Sequence, residues 1–513
     1  MIPYFCPRIH ILSHIKEHKT THETFIYFYC GNNDGCGSHV PHIRHETVGS
    51  RCQSIKSCTE LINRTIEKAA SEGGGTIYFP VGTYLTATIH MKSNITLYLE
   101  SGAVLRFSDK FEDYLPFVTL RWEGTVMKSL SPLIYAHSAD NVTISGRGTL
   151  DGNGLKWWLW EFDTRKVIKE NGGKLPHPYK LQQMWVDANK DLEISDYYKP
   201  SLERRMFRPP FIQFYECTNI LIENVKIINS PFWTINPAFC DNVTIHGVTI
   251  NNPSSNPKGP NTDGINPSSC RNVRISDCFI SVGDDCITIK SGRDADGRKY
   301  GKACENITIT NCIMLSGHGG VVIGSEMSGG VKRVAISNCV FDGTNAGIRL
   351  KASRGRGGVV EDIRVDNIVM KNIQGDAFIF DLFYDRLSKV EPVSERTPIF
   401  RNIHLSNVTG NDIKRIGYIK GIEEMPVSEL SFSNMNIVAE QGFKAETATD
   451  IRFNNVSFTV GEGPSFDFRQ CNGIFLNDVR SKKPITNQPV VNIEKDVENV
   501  NIIHCDSTQI MRK

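Results

Sequence analysis

The chain has 513 residues, with 58 basic against 56 acidic side chains and a formal net charge of +2. Hydrophobic residues make up 40% and charged residues 22%, which argues against a disordered chain; the balanced charge argues against a polycationic nucleic-acid binder. No apolar run reaches the roughly 18 residues that a membrane-spanning helix needs, so neither nucleic acid nor membrane is expected as a partner.

Residues 1–58 form an atypical start, expected to be non-native or disordered. Seven of the 14 histidines fall before residue 46 and five of the 15 cysteines within the first 58 residues. A usual signal peptide is not apparent there, so the compartment is not readable from this stretch. From residue 59 the pattern changes. TELINRTIEKAA, residues 59–70, reads as an amphipathic helix, and the following GGG and TIYFP read as a turn and a strand. Together they suit a cap over the open end of a stacked core.

A repeat then sets in. Its unit is Asn-hydrophobic-x-hydrophobic-x-Asn/Asp/Gly-hydrophobic, starting at Asn94, Asn141, Asn219, Asn242, Asn272, Asn306, Asn402 and Asn499, with variants at Arg333, Asp362, Glu429, Asp450 and Gly473. Each unit is a short alternating strand followed by a polar turn, and such a strand cannot bury its own apolar face. Stacking coil on coil gives every strand two parallel neighbours about 4.8 Å away and one continuous core. The expected fold is therefore all-β, a single-stranded right-handed parallel β-helix. A β-propeller would need four strands per blade at a steadier period. Residues 59–513 are expected to form this domain, interrupted by an aromatic-rich insertion at residues 155–209 that suits a lid.

The repeat also sorts the cysteines. Cys278, Cys312, Cys339 and Cys505 fall six residues after a unit start, and Cys217, Cys240, Cys270, Cys304 and Cys471 fall two residues before one. Other coils carry Val, Ile, Met or Phe in these columns, so the cysteines read as small buried hydrophobes rather than metal ligands or a disulfide framework. The sequons at Asn94, Asn141, Asn242 and Asn306 lie on the same pattern and read as turn chemistry, not glycan sites.

Aligning four coils by their hydrophobic positions places Ile265, Ile287, Val321 and Ile348 on one inward ladder. Asp263 and Asp285 become rung neighbours, with Asp284 beside them and His318 one rung further. Thr288, Lys290, Arg349 and Lys351 then share the outer face. Three carboxylates with a histidine on a rigid wall suit glycoside hydrolysis, in which one carboxyl is kept protonated as the acid and others activate water. The bland reading is a solvated polar patch or a calcium site.

The segments NTDG (Asn261 to Gly264), GDD (Gly283 to Asp285), GHG (Gly317 to Gly319) and RLK (Arg349 to Lys351) resemble, in order and spacing, those of the polygalacturonases, glycoside hydrolase family 28. The resemblance spans about residues 59 to 505, and RWEG and SPFW resemble the bacterial, often exo-acting branch. It implies Asp284 as general acid, Asp263 and Asp285 as the base pair holding water, and His318 as support for the acid's protonation. It further implies that Arg349, Lys351, Asn261 and Tyr384 bind substrate. The implied substrate is pectic polysaccharide or oligogalacturonide, cleaved with inversion and without metal or cofactor by a monomer that is secreted or periplasmic. A pectate-lyase-type β-helix and a non-catalytic polysaccharide-binding β-helix are the alternatives. The family's usual segment before the cap helix is replaced here by VGSRCQSIKSC, which points to a frameshift or wrong start that also removed a signal peptide.

Overall fold

A computed structural model describes residues 27–29, 55–172, 180–191, 208–384 and 389–512. Its strands stack in parallel register along three faces. On the first, Ile134, Ile212, Ile235, Ile265, Ile287, Val321, Ile348 and Phe378 follow one another rung by rung. On the second the ladder is Ile95, Val142, Ile220, Val243, Val273, Ile307, Val334, Ile363, Ile403 and Leu430. On the third it runs from Leu105 through Leu150, Ile227, Ile250, Ile280 and Met314 to Phe341 and Met370. All these side chains are buried in one contiguous core, which is the parallel β-helix expected from the repeat.

The unit-opening asparagines have a conformational cause. Asn94, Asn141, Asn219, Asn242, Asn272 and Asn306 all adopt φ between 53° and 60°, the left-handed region that Asn tolerates better than other non-glycine residues. Their amides also bond between rungs: Asn141 donates to Asn94 at 3.0 Å, Asn242 to Asn219 at 2.6 Å and Asn306 to Asn272 at 2.9 Å. One residue type therefore turns the chain and ties adjacent coils.

The cysteine columns lie where expected. Cys304 is in register with Val331, Val360 and Phe400 in turn, and Cys339 with Ile368 and Val408. Ten described cysteines are free, nine of them buried; Cys505 is only half-buried because its coil is near the end of the stack. Cys58, in the cap helix, is disulfide-bonded.

The cap helix runs Ile55–Ser71, beginning earlier than the sequence suggests, and seals the core with Leu61, Ile62, Ile66 and Ala69. A strand from the atypical segment, Tyr27–Tyr29, pairs antiparallel with Gly75–Phe79, so part of that segment joins the cap. The insertion contributes two helices, Leu155–Glu170 and Lys180–Ala188. Its Trp157, Trp158 and Trp185 are buried and Trp160 packs on the core, so these four are packing residues. Tyr179, Tyr197 and Tyr198 lie outside the described residues.

Candidate active site

The register found in the structure is the one read from the sequence. Ile265 pairs with Ile287, Ile287 with Val321 and Val321 with Ile348, so Asp263 and Asp285 sit on adjacent rungs and Asp284 faces His318. Each carboxylate lies just before a short strand, where the chain enters the wall. Gly264 N–H donates to the Asp285 carbonyl at 3.0 Å and His318 N–H to that of Asp284 at 2.8 Å, so the backbone itself holds these residues together.

Asp263 and Asp285 are buried, at 3% and 1% exposure, while Asp284 is half-buried. Asp263 Oδ2 accepts from Asn266 at 3.1 Å, and Asp285 Oδ2 accepts from Lys351 Nζ at 2.9 Å. Asp285 Oδ1 is buried with no protein donor among the described residues. Asp284 Oδ1 accepts from its neighbour's N–H and pairs with His318 Nδ1, each at 2.9 Å. Lys258 Nζ lies 2.6 Å from His318 Nε2. An ammonium can only donate, so Nε2 accepts and Nδ1 carries the proton given to Asp284.

These contacts split the carboxylates. Burial, with the Asp284 charge adding, pushes Asp263 well above the usual carboxylate range. Burial also raises Asp284, but the hydrogen bond from His318 and the charges of Lys351 and Lys290 outweigh it and bring that carboxyl down to about 2. Burial and its partners thus favour a proton on Asp263 over one on Asp284. The imidazole is a donor here, and a donor favours the carboxylate.

The basic pair sits on a later rung than the carboxylates. Arg349 and Lys351 lie 5.5 Å and 5.3 Å from the centre of the Tyr384 ring, which is 40% exposed. Lys351 differs from the expectation in being buried and committed to Asp285, while Arg349 remains half-buried. Asn261, at φ 53°, turns its amide oxygen toward Arg208 and Arg165, at 2.8 Å and 3.2 Å. Both arginines belong to the insertion, which thus positions Asn261.

Several residues escaped the sequence reading. Lys258 lies in an irregular loop and meets His318 across 60 positions of chain. Glu326 is buried and pairs with Lys290 at 2.7 Å and with Arg293, so the cationic side of the cavity is built around one anion. Burial lowers Lys290, but Glu326, Asp263 and Asp285 raise it well above the ordinary lysine range. Side chains from Asp263, Asp284, Asp285, Lys290, Glu326 and Lys351 line a polar cavity of about 260 Å³.

The hairpin of strands Val118–Trp122 and Thr125–Ser129 closes one side of this cavity. Arg121 pairs through its backbone with the Gln213 side chain at 2.9 Å and reaches Ser269 at 2.7 Å, which lays the hairpin on the wall from the coil of Gln213 to that of Asp263. Trp122 stacks on Phe232 at 5.0 Å, and together with Trp185, Leu120, Met127 and Trp233 they form a second small core. RWEG, noted in the sequence only as a resemblance, is the tip of this closure. The insertion supports the hairpin from behind through Trp185 and Asn189, the latter accepting from Lys128 N–H at 2.7 Å.

Asp284, Asp285 and His318 bring donor atoms within 4.8 Å of one another, a set that could take a divalent cation. Lys351 on Asp285 and Lys258 on His318 oppose that by charge.

Residues 199–459 match the family model described as Glycosyl hydrolases family 28. A Vitis vinifera protein named "Probable polygalacturonase" is 31% identical over 394 residues, 75% of this chain and 72% of its own length. An exo-poly-alpha-D-galacturonosidase of Dickeya chrysanthemi is 26% identical, covering 78% of this chain and 69% of that one. Among solved structures, a hyperthermoactive exopolygalacturonase from Thermotoga maritima superposes with a TM-score of 0.68 at 35% identity, over 79% of this chain and 88% of that chain. With the parallel coils, the clustered carboxylates and these matches in hand, the chain belongs to the glycosyl hydrolases of family 28, which sets aside the lyase and non-catalytic readings.

Proposed function

We propose that this protein hydrolyses α-1,4-galacturonosyl linkages of polygalacturonate from a chain end, with inversion at the anomeric carbon. The observation that carries the reading is a cavity about the size of one sugar ring, closed by a hairpin, in which three clustered carboxylates stand beside Lys351. Relatives named for exo-action on polygalacturonate support it.

In this mechanism Asp263 and Asp285 hold the attacking water, and the unpartnered Asp285 Oδ1 is the acceptor that receives one of its protons. Asp284 protonates the leaving oxygen while the water attacks from the opposite face of the ring. Asp284 acquires that proton on substrate binding. A uronate carboxylate placed against Arg349 and Lys351 cancels part of the positive field that depresses Asp284, and the proton held by the cluster moves toward it. Lys258 and His318 orient Asp284, Tyr384 packs beside the basic pair, and Asn261 lines the cavity to take sugar hydroxyls. The unit that does this is residues 59–513, acting as a monomer outside the cytoplasm, where a pectic polymer is found.

Early hydrolysis of polygalacturonate followed by NMR and chromatography tests the proposal. The expected first product is monomeric galacturonate in the β-configuration. An α-anomer overturns inversion, and a ladder of oligomers overturns chain-end action.

A further inference from the structure

Hydrolysis of a galacturonosyl linkage brings two carboxylates to the site, one on each side of the scissile bond. The cavity takes one ring, and Asp284 on its lining protonates the leaving oxygen, so the leaving residue lies on the Asp284 side. A carboxylate there calls for a cation. Most cations around the cavity are already committed: Lys290 and Arg293 pair with Glu326, Lys351 with Asp285 at 2.9 Å and Arg356 with Asp294 at 2.7 Å. Among the described residues, Arg349 and Lys258 have no carboxylate partner. Arg349 faces Tyr384, in the half of the site given to the first uronate. Lys258 is on the other side of Asp284, where its Nζ meets His318 Nε2 at 2.6 Å while His318 Nδ1 meets Asp284.

The loop that carries Lys258 is fixed against the acid. Gly259, the next residue, donates its N–H to the Pro253 carbonyl at 2.9 Å, and its own carbonyl accepts from Thr262 Oγ1 at 2.7 Å. Thr262 Oγ1 in turn accepts from Gly283 N–H at 3.1 Å. Gly283 immediately precedes Asp284, and it lies so close to the loop that a Cβ there would meet the Gly259 carbonyl oxygen at 2.1 Å. Lys258 is half-buried. Its ammonium has three N–H donors and His318 takes one, which leaves two to offer.

We propose that Lys258 binds the carboxylate of the leaving galacturonate and so selects a uronate on the leaving side of the bond. The inference rests on the hydrolytic reading above, with Asp284 as the acid. Hydrogen bonds from an ammonium to a carboxylate are charge-assisted, roughly twice as strong as neutral ones. Because the same ammonium stays on His318, one lysine ties the leaving sugar to the imidazole that holds Asp284. Without Lys258 a leaving carboxylate would meet Asp284 with no uncommitted cation beside it.

Digalacturonate is compared with galacturonosyl-α-1,4-galactose, whose leaving residue lacks the carboxylate. The measured quantity is kcat/KM on each, for wild type, Lys258→Gln, Lys258→Met and Lys258→Arg. Wild type should prefer digalacturonate by at least about 10-fold. Lys258→Gln and Lys258→Met should treat the two substrates alike to within about 2-fold, whereas Lys258→Arg should keep most of the preference. A lysine that only orients His318 would lower both rates together and leave their ratio as in wild type, which overturns the inference. A wild type that shows no preference overturns it as well, whether or not the variants fold, and melting temperatures report their folding. A wild type that turns over neither substrate overturns the hydrolytic reading itself, an outcome told apart by the absence of product from every sample.

Discussion

Asp263 is a buried carboxyl beside other carboxyls, and burial together with the Asp284 charge raises it well above the usual carboxylate range. The sign of the consequence follows. Between the unfolded carboxylate value of about 3.9 and the raised folded value, the native state binds more protons, so stability falls as pH rises through that window. Asp284 behaves in the opposite sense. Its depressed folded value contributes stability above about 3.9 that is lost as pH falls through about 2. Asp263→Asn should therefore be more stable than wild type at pH 7, by about 1 kcal/mol or a few degrees in Tm, with the gain vanishing toward pH 4. Asp284→Asn should be less stable at pH 7. Both should lose at least about 100-fold in kcat. Thermal melts between pH 4 and 8 check this, and a Tm difference for Asp263→Asn that does not change with pH would refute the protonation pattern. Residues of this kind were legible because Asp-Gly and Gly-Asp-Asp recur at matching positions in successive coils. Lys258 and Glu326 were not, because no pattern surrounds them and their partners lie 60 and 36 positions away.

At the scale of elements, the described part of residues 155–209 and the hairpin at residues 118–129 pack on each other beside the cavity. The insertion supplies support, with Trp158 donating to the Ser230 carbonyl at 2.9 Å and Arg208 to those of Pro231 and Pro260 at 2.8 Å and 2.6 Å. The hairpin borders the cavity. Trp122 is its keystone, stacked on Phe232 and donating to the Arg208 carbonyl at 3.2 Å. Truncating a buried Trp costs about 3–5 kcal/mol, more than a two-stranded ribbon can lose and stay seated on the wall. Trp122→Ala should thus shift the products of polygalacturonate from monomer toward mixed oligomers, while the β-helix core keeps its circular-dichroism signature. Chromatography of early digests gives the answer. Monomer as sole product in that variant would show that another element closes the groove.

For the whole molecule, the stacked coils let one residue's environment be inferred from its neighbours above and below. Cys312 occupies a column in which other coils place Val and Ile, and it is fully buried. Cys312→Val should shift stability by less than about 1.5 kcal/mol, whereas Cys312→Asp should prevent stable folding by burying a charge without a partner. Calorimetry and galacturonate release distinguish this from a metal or redox role, under which Cys312→Val would abolish activity while leaving the fold intact.

The sequence by itself determined the fold, the register and the carboxylate cluster, for one physical reason. Parallel coils bring equivalent positions of successive repeats to adjacent rungs, so aligning hydrophobic positions along the chain is the same operation as stacking them in space. Ile265, Ile287, Val321 and Ile348 were placed correctly on that basis alone, and with them Asp263, Asp285 and His318. Tertiary structure alone decided that a hairpin borders the cavity, that Lys258 meets His318, and which carboxyl burial raises. Each of these depends on contacts that break the repeat: a hairpin at residues 118–129 lying on coils more than 80 residues later, a lysine from an irregular loop on His318, and burial, which no alignment of single residues reports.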